Sequence, residues 1–200
     1  MYSFKVLLKG EEIEFVGETK SEALCKLDAY MEELLERGTH RNRTSYVKRR
    51  ISHKLDYYLT EVQAYLGLAD LDICPPLLSY GVLFEYKIIS EHDSRTFYRS
   101  KPAPKLKEYT YYAYYIETEL YGYSLGKEYN TVGKLCLDSR NLEQEFNFSP
   151  YPEFVREQIR DLVHSLHQRG VYHGDLHPDN ILIKDGKVKI IDFELCEFVP

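Results

Sequence analysis

Asp175, Asn180 and Asp192 are the residues of this chain whose types and spacing could do chemistry. They lie in His173-Gly174-Asp175-Leu176-His177-Pro178-Asp179-Asn180-Ile181-Leu182-Ile183 and in Val188-Lys189-Ile190-Ile191-Asp192-Phe193-Glu194. A carboxylate can orient a hydroxyl and accept its proton. A side-chain amide and a second carboxylate are hard oxygen donors of the kind magnesium takes. The set suits a hydroxyl meeting a metal-bound phosphate. His173 and His177 also stand four apart, the spacing of a helical zinc site, but Gly174 and Pro178 argue against a continuous helix there.

The flanking elements explain how such residues could converge. Val155, Ile159, Leu162, Val163 and Leu166 mark one face of a helix over Pro152 to Gln168, with Ser149 and Pro150 as entry residues and Gly170 as its stop. Past Val171-Tyr172 comes the His-Gly-Asp turn. Two apolar runs, Ile181 to Ile183 and Val188 to Ile191, flank Asp185-Gly186, which is a strong hairpin signal. Asp175 and Asn180 then precede the first strand and Asp192 leaves the second. The ends of a two-strand ribbon are neighbours, so residues 17 positions apart can share a site.

This pattern resembles the protein-kinase-like superfamily. Its catalytic loop has an Asp with an Asn five residues on, followed by a metal-binding Asp-Phe-Gly on the next hairpin. The same offsets here give Asp175, Asn180 and Asp192-Phe193, with Glu194 in place of the glycine and so without its backbone freedom. The resemblance implies Asp175 as the base, and Asn180 and Asp192 holding Mg2+ against the phosphates of ATP. It implies an α+β, two-lobe fold with a β-rich N-lobe and a shortened helical C-lobe. Gly174 in place of the usual Arg, and His177 in place of the usual Lys, look more like the atypical and small-molecule branches, such as aminoglycoside and choline kinases. Without that Arg, regulation through a phosphorylated activation loop is not expected.

Upstream parts of the N-lobe follow from the same resemblance. Ala113 to Leu125 reads as a strand, a glycine turn at Gly122 and a short helix, with Glu117 to Glu119 offering backbone groups to an adenine. Leu55, Leu59, Val62 and Leu66 place a helical face on Ser52 to Leu68, with Ser52 as N-cap. Glu61 on that helix would pair with the phosphate-binding lysine, which is Lys48 at the end of a short strand, with Lys54 as the competitor. Arg41, Arg43, Arg49 and Arg50 read as a solvated basic cluster.

The two ends depart from the family. Tyr2 to Leu8 and Ile13 to Val16 can pair through Lys9-Gly10-Glu11-Glu12, but this is no glycine-rich loop of the kind that contacts phosphate with backbone amides. Ser21 to Arg37 is a helix with Leu24, Leu27, Met31, Leu34 and Leu35 on one face, a Thr19/Glu22 capping box and Gly38 as its stop. It would pack on the lobe or serve a partner. The sequence ends eight residues after Asp192. The expectation is therefore a C-lobe without an activation segment, with part of the Pro152 to Gln168 stripe uncovered and open to a protein partner.

Composition agrees with a single kinase-like domain over 1-200, divided into a divergent hairpin and helix (1-38), the N-lobe (39-121) and a partial C-lobe (122-200). The chain is 44% hydrophobic and carries a formal charge of −6, which argues against nucleic-acid binding. No run is apolar enough for a membrane and no secretory pattern opens the chain, so cytoplasm or nucleus is expected. The four dispersed cysteines suit reduced thiols. Glu91 to Glu108 reads as a polar loop. Two functions stay open: an ATP-dependent phosphotransferase acting on a hydroxyl, of protein Ser/Thr or of a small molecule, and a catalytically inactive kinase-like module that binds or regulates.

Overall fold

The computed structural model describes residues 2–37, 44–93, 109–131, 136 and 138–199. The architecture is α+β, as expected for a protein-kinase-like fold, and its contacts divide it into two compact units. Gly38, Arg41, Arg43 and most of the Glu91 to Glu108 segment lie outside the described residues.

The first unit takes residues 1–42, 47–55 and 81–115. Strand β1 (Tyr2–Leu8) turns through Lys9 and Gly10 into β2 (Glu11–Gly17). Both turn residues have positive φ, the geometry that matches the twist of a two-residue hairpin. The connection is tighter than expected, because Glu11 and Glu12 already belong to the strand. Helix α1 (Lys20–Arg37) follows. Thr19 Oγ1 accepts from the Glu22 N–H and the Glu22 carboxylate accepts from Glu18, so the capping box forms with its return bond one residue early. Ala23, Leu27, Met31 and Leu35 are its buried face. Leu27 and Met31 pack with Val6, Leu8, Phe15 and Tyr86, so this helix has core work on the hairpin.

Strand β3 (Ser45–Ser52) is longer than the short strand expected, and helix α2 (Asp56–Gly67) starts four residues after Ser52. Ser52 is thus the end of a strand and its Oγ accepts from the Lys54 N–H, not from a helix. The expected apolar face of α2 holds at Val62 and fails at its leucines. Leu59 and Leu66 are more than half exposed, while Tyr58, Glu61, Val62, Ala64 and Tyr65 are buried. Strand β4 (Leu77–Asp93) extends into the segment read as a loop. With β5 (Tyr109–Glu119) it completes a five-stranded sheet of order β2-β1-β4-β5-β3.

The second unit takes residues 43–46, 56–80 and 116–200. After β5 come β6 (Tyr123–Ser124) and the short helices α3 (Leu125–Glu128) and α4 (Leu142–Glu145). Helix α5 (Glu153–Gln168) is entered from Pro152, not from Ser149 or Pro150, and Gly170 ends it with a positive φ. Of the expected stripe, Val155, Ile159, Val163 and Leu166 are buried within the chain and Leu162 is half-buried. Strand β7 (Val171–Tyr172) pairs with β10 (Glu197–Phe198). Strands β8 (Ile181–Lys184) and β9 (Lys187–Ile190) form the expected hairpin, with Asp185 and Gly186 at positive φ. Gln158 clamps α5 to that turn by donating to the Gly186 carbonyl and accepting from the Val188 N–H. No helix among the described residues is long and apolar enough to cross a membrane.

Candidate active site

The loop between β7 and β8 is organised by His173. Its ring is buried, with Nδ1 accepting from the Asp175 N–H at 3.1 Å and Nε2 facing the Ile191 carbonyl at 3.1 Å. One nitrogen must accept and the other donate, which fixes the neutral ring with its proton on Nε2. Burial lowers its pKa, in keeping with that form. This histidine therefore joins the backbone of Asp175 to the residue before Asp192. It is no zinc ligand.

Asn180 secures the other side of the loop. It is buried at the end of a 3-10 turn (Pro178–Asn180), where Nδ2 donates to the Asp175 carbonyl at 2.9 Å and approaches Oδ2 at 3.4 Å. Both bonds use the amide nitrogen, which leaves out the amide oxygen, the atom a hard cation would take. The Asn180 carbonyl accepts from the Ile191 N–H at 3.0 Å. Two bonds to Ile191, one through His173 and one through Asn180, thus bring the catalytic-loop candidates beside the start of the Asp192 turn.

Asp192 has φ 67° and ψ 64°, a left-handed conformation that costs a non-glycine residue energy. The turn Phe193–Leu195 follows, and Phe193 is buried edge-on against Tyr65 of α2 at 5.3 Å and beside His173 at 5.4 Å. That aromatic cluster, edge-on at Tyr65, holds the strained residue in place. It also brings α2 to the site: carboxylate oxygens of Glu61, Asp192 and Glu194 lie within 4.8 Å of one another. The set is all hard oxygen, which fits magnesium rather than a soft metal. Sequence reasoning treated Glu194 only as a lost glycine. Its position two residues after Asp192 was the signal that could have found it.

Gly174 has a steric cause. A Cβ there would sit 2.3 Å from the Leu195 carbonyl oxygen, so only glycine lets the loop touch the Phe193–Leu195 turn. At Gly126 an added Cβ would fall 2.2 Å from a carboxylate oxygen of Asp179, a side-chain end that would have to swing aside. Ser124 donates to that carboxylate and caps α3, which ties α3 to the loop.

The remaining predicted residues stand on β5 and on or just past β3. Glu117 accepts hydroxyl bonds from Ser45 and Ser79, both at 2.6 Å, and those bonds lower its pKa. The Glu119 N–H is donated to the Pro76 carbonyl and the Leu120 N–H to that of Thr44. An adenine donor at Glu119 would have to break the first of these. Lys48 is half-buried on β3 in the first unit, and Lys54 is exposed beyond it. Among the described residues of the second unit the buried lysine is Lys189, which donates to Asp72 at 2.6 Å and to the Cys74 carbonyl at 3.3 Å.

Residues 111–200 match the family described as "Protein kinase domain". A serine/threonine-protein kinase, ppk34 of Schizosaccharomyces pombe, is 40% identical over 73 residues, which is 34% of this chain and 20% of that protein. The dual specificity protein kinase TTK of Mus musculus is 32% identical over 82 residues, 38% of this chain and 10% of that one. The KEOPS complex subunit Bud32 of Pyrococcus abyssi is 41% identical over 44 residues, 22% of this chain and 20% of that subunit. The matched part spans a fifth or less of each of these relatives. The matches support the protein-kinase-like superfamily, and the family match covers the loop and the Asp192 turn.

Proposed function

We propose, from the premise of a protein-kinase-domain match over residues 111–200, that this chain moves the γ-phosphoryl group of ATP to a hydroxyl acceptor, with protein Ser/Thr as the first class to test. The observation that carries the reading is the joint bracing of Asp175 and Asp192. His173 and Asn180 each bond both to the Asp175 segment and to Ile191. Folding alone does not call for a loop acid and a strained second acid locked to one residue.

In this reading Asp175 orients the acceptor hydroxyl and takes its proton, while Asn180 keeps that carboxylate facing the acceptor. Asn180 and Asp192 would hold magnesium, with Glu194 and Glu61 as further oxygen donors close by. Magnesium bound with ATP supplies charge neutralisation at the phosphates, the main need of phosphoryl transfer. Lys48 is the proposed phosphate-facing lysine, with Lys54 its rival, and the carbonyls of Glu117 to Glu119 are the proposed adenine contacts. Cytosol or nucleus is the proposed location.

A second reading, a nucleotide-binding module without turnover, is favoured by the two-residue Lys9-Gly10 turn, which offers no glycine-rich cover for phosphates. A small-molecule kinase is the third. Thermal unfolding with ATP, with and without magnesium, and transfer of labelled phosphate to Ser/Thr peptides separates them. A magnesium-dependent rise with transfer supports the protein kinase reading, and the rise without transfer to peptides or small alcohols supports the binding module. No rise from folded protein removes the nucleotide site altogether.

A further inference from the structure

We propose that Ser139 and His167 are positioning residues for Asp175, forming a hydrogen-bonded brace that holds while the His167 ring is neutral and slackens when it takes a proton. The brace lies wholly within the second unit and outside the residues assigned to nucleotide or metal. Its consequence for turnover rests on the phosphotransferase reading; its existence does not.

Ser139 begins the 3-10 turn Ser139–Asn141 and is 1% exposed. It grips His173 at two points, its N–H donating to the His173 carbonyl at 3.2 Å and its Oγ accepting from the His173 N–H at 2.9 Å. A third contact joins Oγ to Nε2 of His167, in the last turn of α5, at 2.9 Å. The direction of that bond follows from the others. Oγ can accept twice, but in this buried place its own hydrogen needs an acceptor, and among its contacts with the described residues His167 Nε2 is the one able to take it; Nε2 is then bare and the proton sits on Nδ1. The series His167, Ser139, His173, Asp175 is thus a directional relay, and His173 continues it to Ile191.

A proton on His167 Nε2 reverses the first bond. The imidazolium becomes a donor, and the Ser139 hydroxyl hydrogen is left in a buried place with no acceptor among its contacts. The surroundings oppose the proton on balance. The ring of Tyr172 on β7 stacks on His167 at 4.6 Å and carries the Arg140 guanidinium at 4.8 Å. Arg140 and His164 disfavour a second positive charge, Asp138 favours it, and Glu197 on β10 pairs with Arg140 at 3.0 Å. Burial is the largest effect, and the pKa of His167 is lowered. Protons still have a route, since His167 borders an open cleft of about 260 Å³ with Arg140, Glu143, Arg160 and His164.

The test uses the full chain, histidine NMR and amide exchange at His173. Wild type should titrate His167 below an ordinary histidine, and the His173 amide should lose protection as pH falls through that point. His167→Gln places a neutral amide near the Nε2 position and should keep the protection while erasing its pH step. Ser139→Ala should raise the His167 titration point and cut His173 protection by about tenfold or more, with α1 amides unchanged. A pH step that survives in His167→Gln, or a His173 amide equally protected in Ser139→Ala, overturns the brace. Should Ser139→Ala not fold, the wild-type and His167→Gln titrations decide alone. None of these signals reads phosphoryl transfer, so an inactive protein would sink the proposed function and leave the brace standing. With an active protein, His167→Gln should remove the matching acid limb from kcat while leaving KM for ATP in place.

Discussion

Asp175 and Asp192 differ in what losing one charge should do, and the difference separates their proposed roles. Asparagine keeps the shape of either side chain. Asp175→Asn should leave Mg-ATP affinity within about twofold and lower kcat by roughly 10² to 10⁴, the usual worth of a positioned base. Asp192→Asn should abolish the magnesium-dependent part of nucleotide binding. Calorimetric titration beside an initial-rate assay reads both, and an Asp175→Asn enzyme with unchanged kcat would remove it as the base. The placement of these two acids and Asn180 on a joined loop and turn was legible from sequence, because loop and hairpin fix their spacing locally. Glu194 was hidden because its place was judged by the glycine it lacks. Ser139 carried no signal, since a lone serine 34 positions before its partner fits no pattern.

Elements were legible where their pattern was strictly apolar. Helix α5 and the β8–β9 hairpin fall where leucine, isoleucine and valine periodicity and Asp-Gly put them. Helix α2 was misplaced on its axis because its buried face is written in Tyr58, Glu61, Val62 and Tyr65, two of them hydroxyl-bearing and one acidic. Tyrosine buries a large ring, and Glu61 faces the site, so counting leucines turned the helix toward Leu59 and Leu66. The turn between Asp192 and Leu195 was not readable at all: its position depends on Phe193 packing and on the missing Cβ of Gly174. Gly174→Ala should therefore push that turn off the loop, costing about 1–3 kcal/mol by overpacking and weakening magnesium-dependent nucleotide binding. Gly67→Ala is the control, because an added Cβ meets nothing within 4 Å at the end of α2. Urea unfolding of both variants tests this, and equal midpoints would mean that the Leu195 backbone yields freely.

At the scale of the whole molecule, two sets of buried neutral groups bound the pH range in which the fold is most stable. His173 and His167 have pKa values lowered from 6.5 by burial. Below 6.5 the unfolded chain takes up protons that the folded chain refuses, so stability is full above that pH and declines as pH falls toward the folded values. Glu117 and Asp138, lowered from 4.5 and 3.8 by their hydrogen bonds, extend the acid loss further down. The alkaline side reverses the sign. Burial pushes the thiols of Cys74 and Cys196 up to about 12 and that of Cys136 to about 11, from an ordinary 9.0. Above 9.0 the unfolded chain loses protons that the folded chain keeps, so stability declines as pH rises, with Tyr65 adding to the loss beyond 10.0. All of these groups belong to the second unit. Urea midpoints followed by amide exchange of second-unit peptides, under reducing conditions and without magnesium, should be flat between pH 6.5 and 9.0 and fall on both sides. A midpoint that climbs below pH 6.5 would mean that His173 is charged in the native state. Its ring could not then accept from Asp175, and the argument that one neutral histidine aligns both acids would fail at its first step.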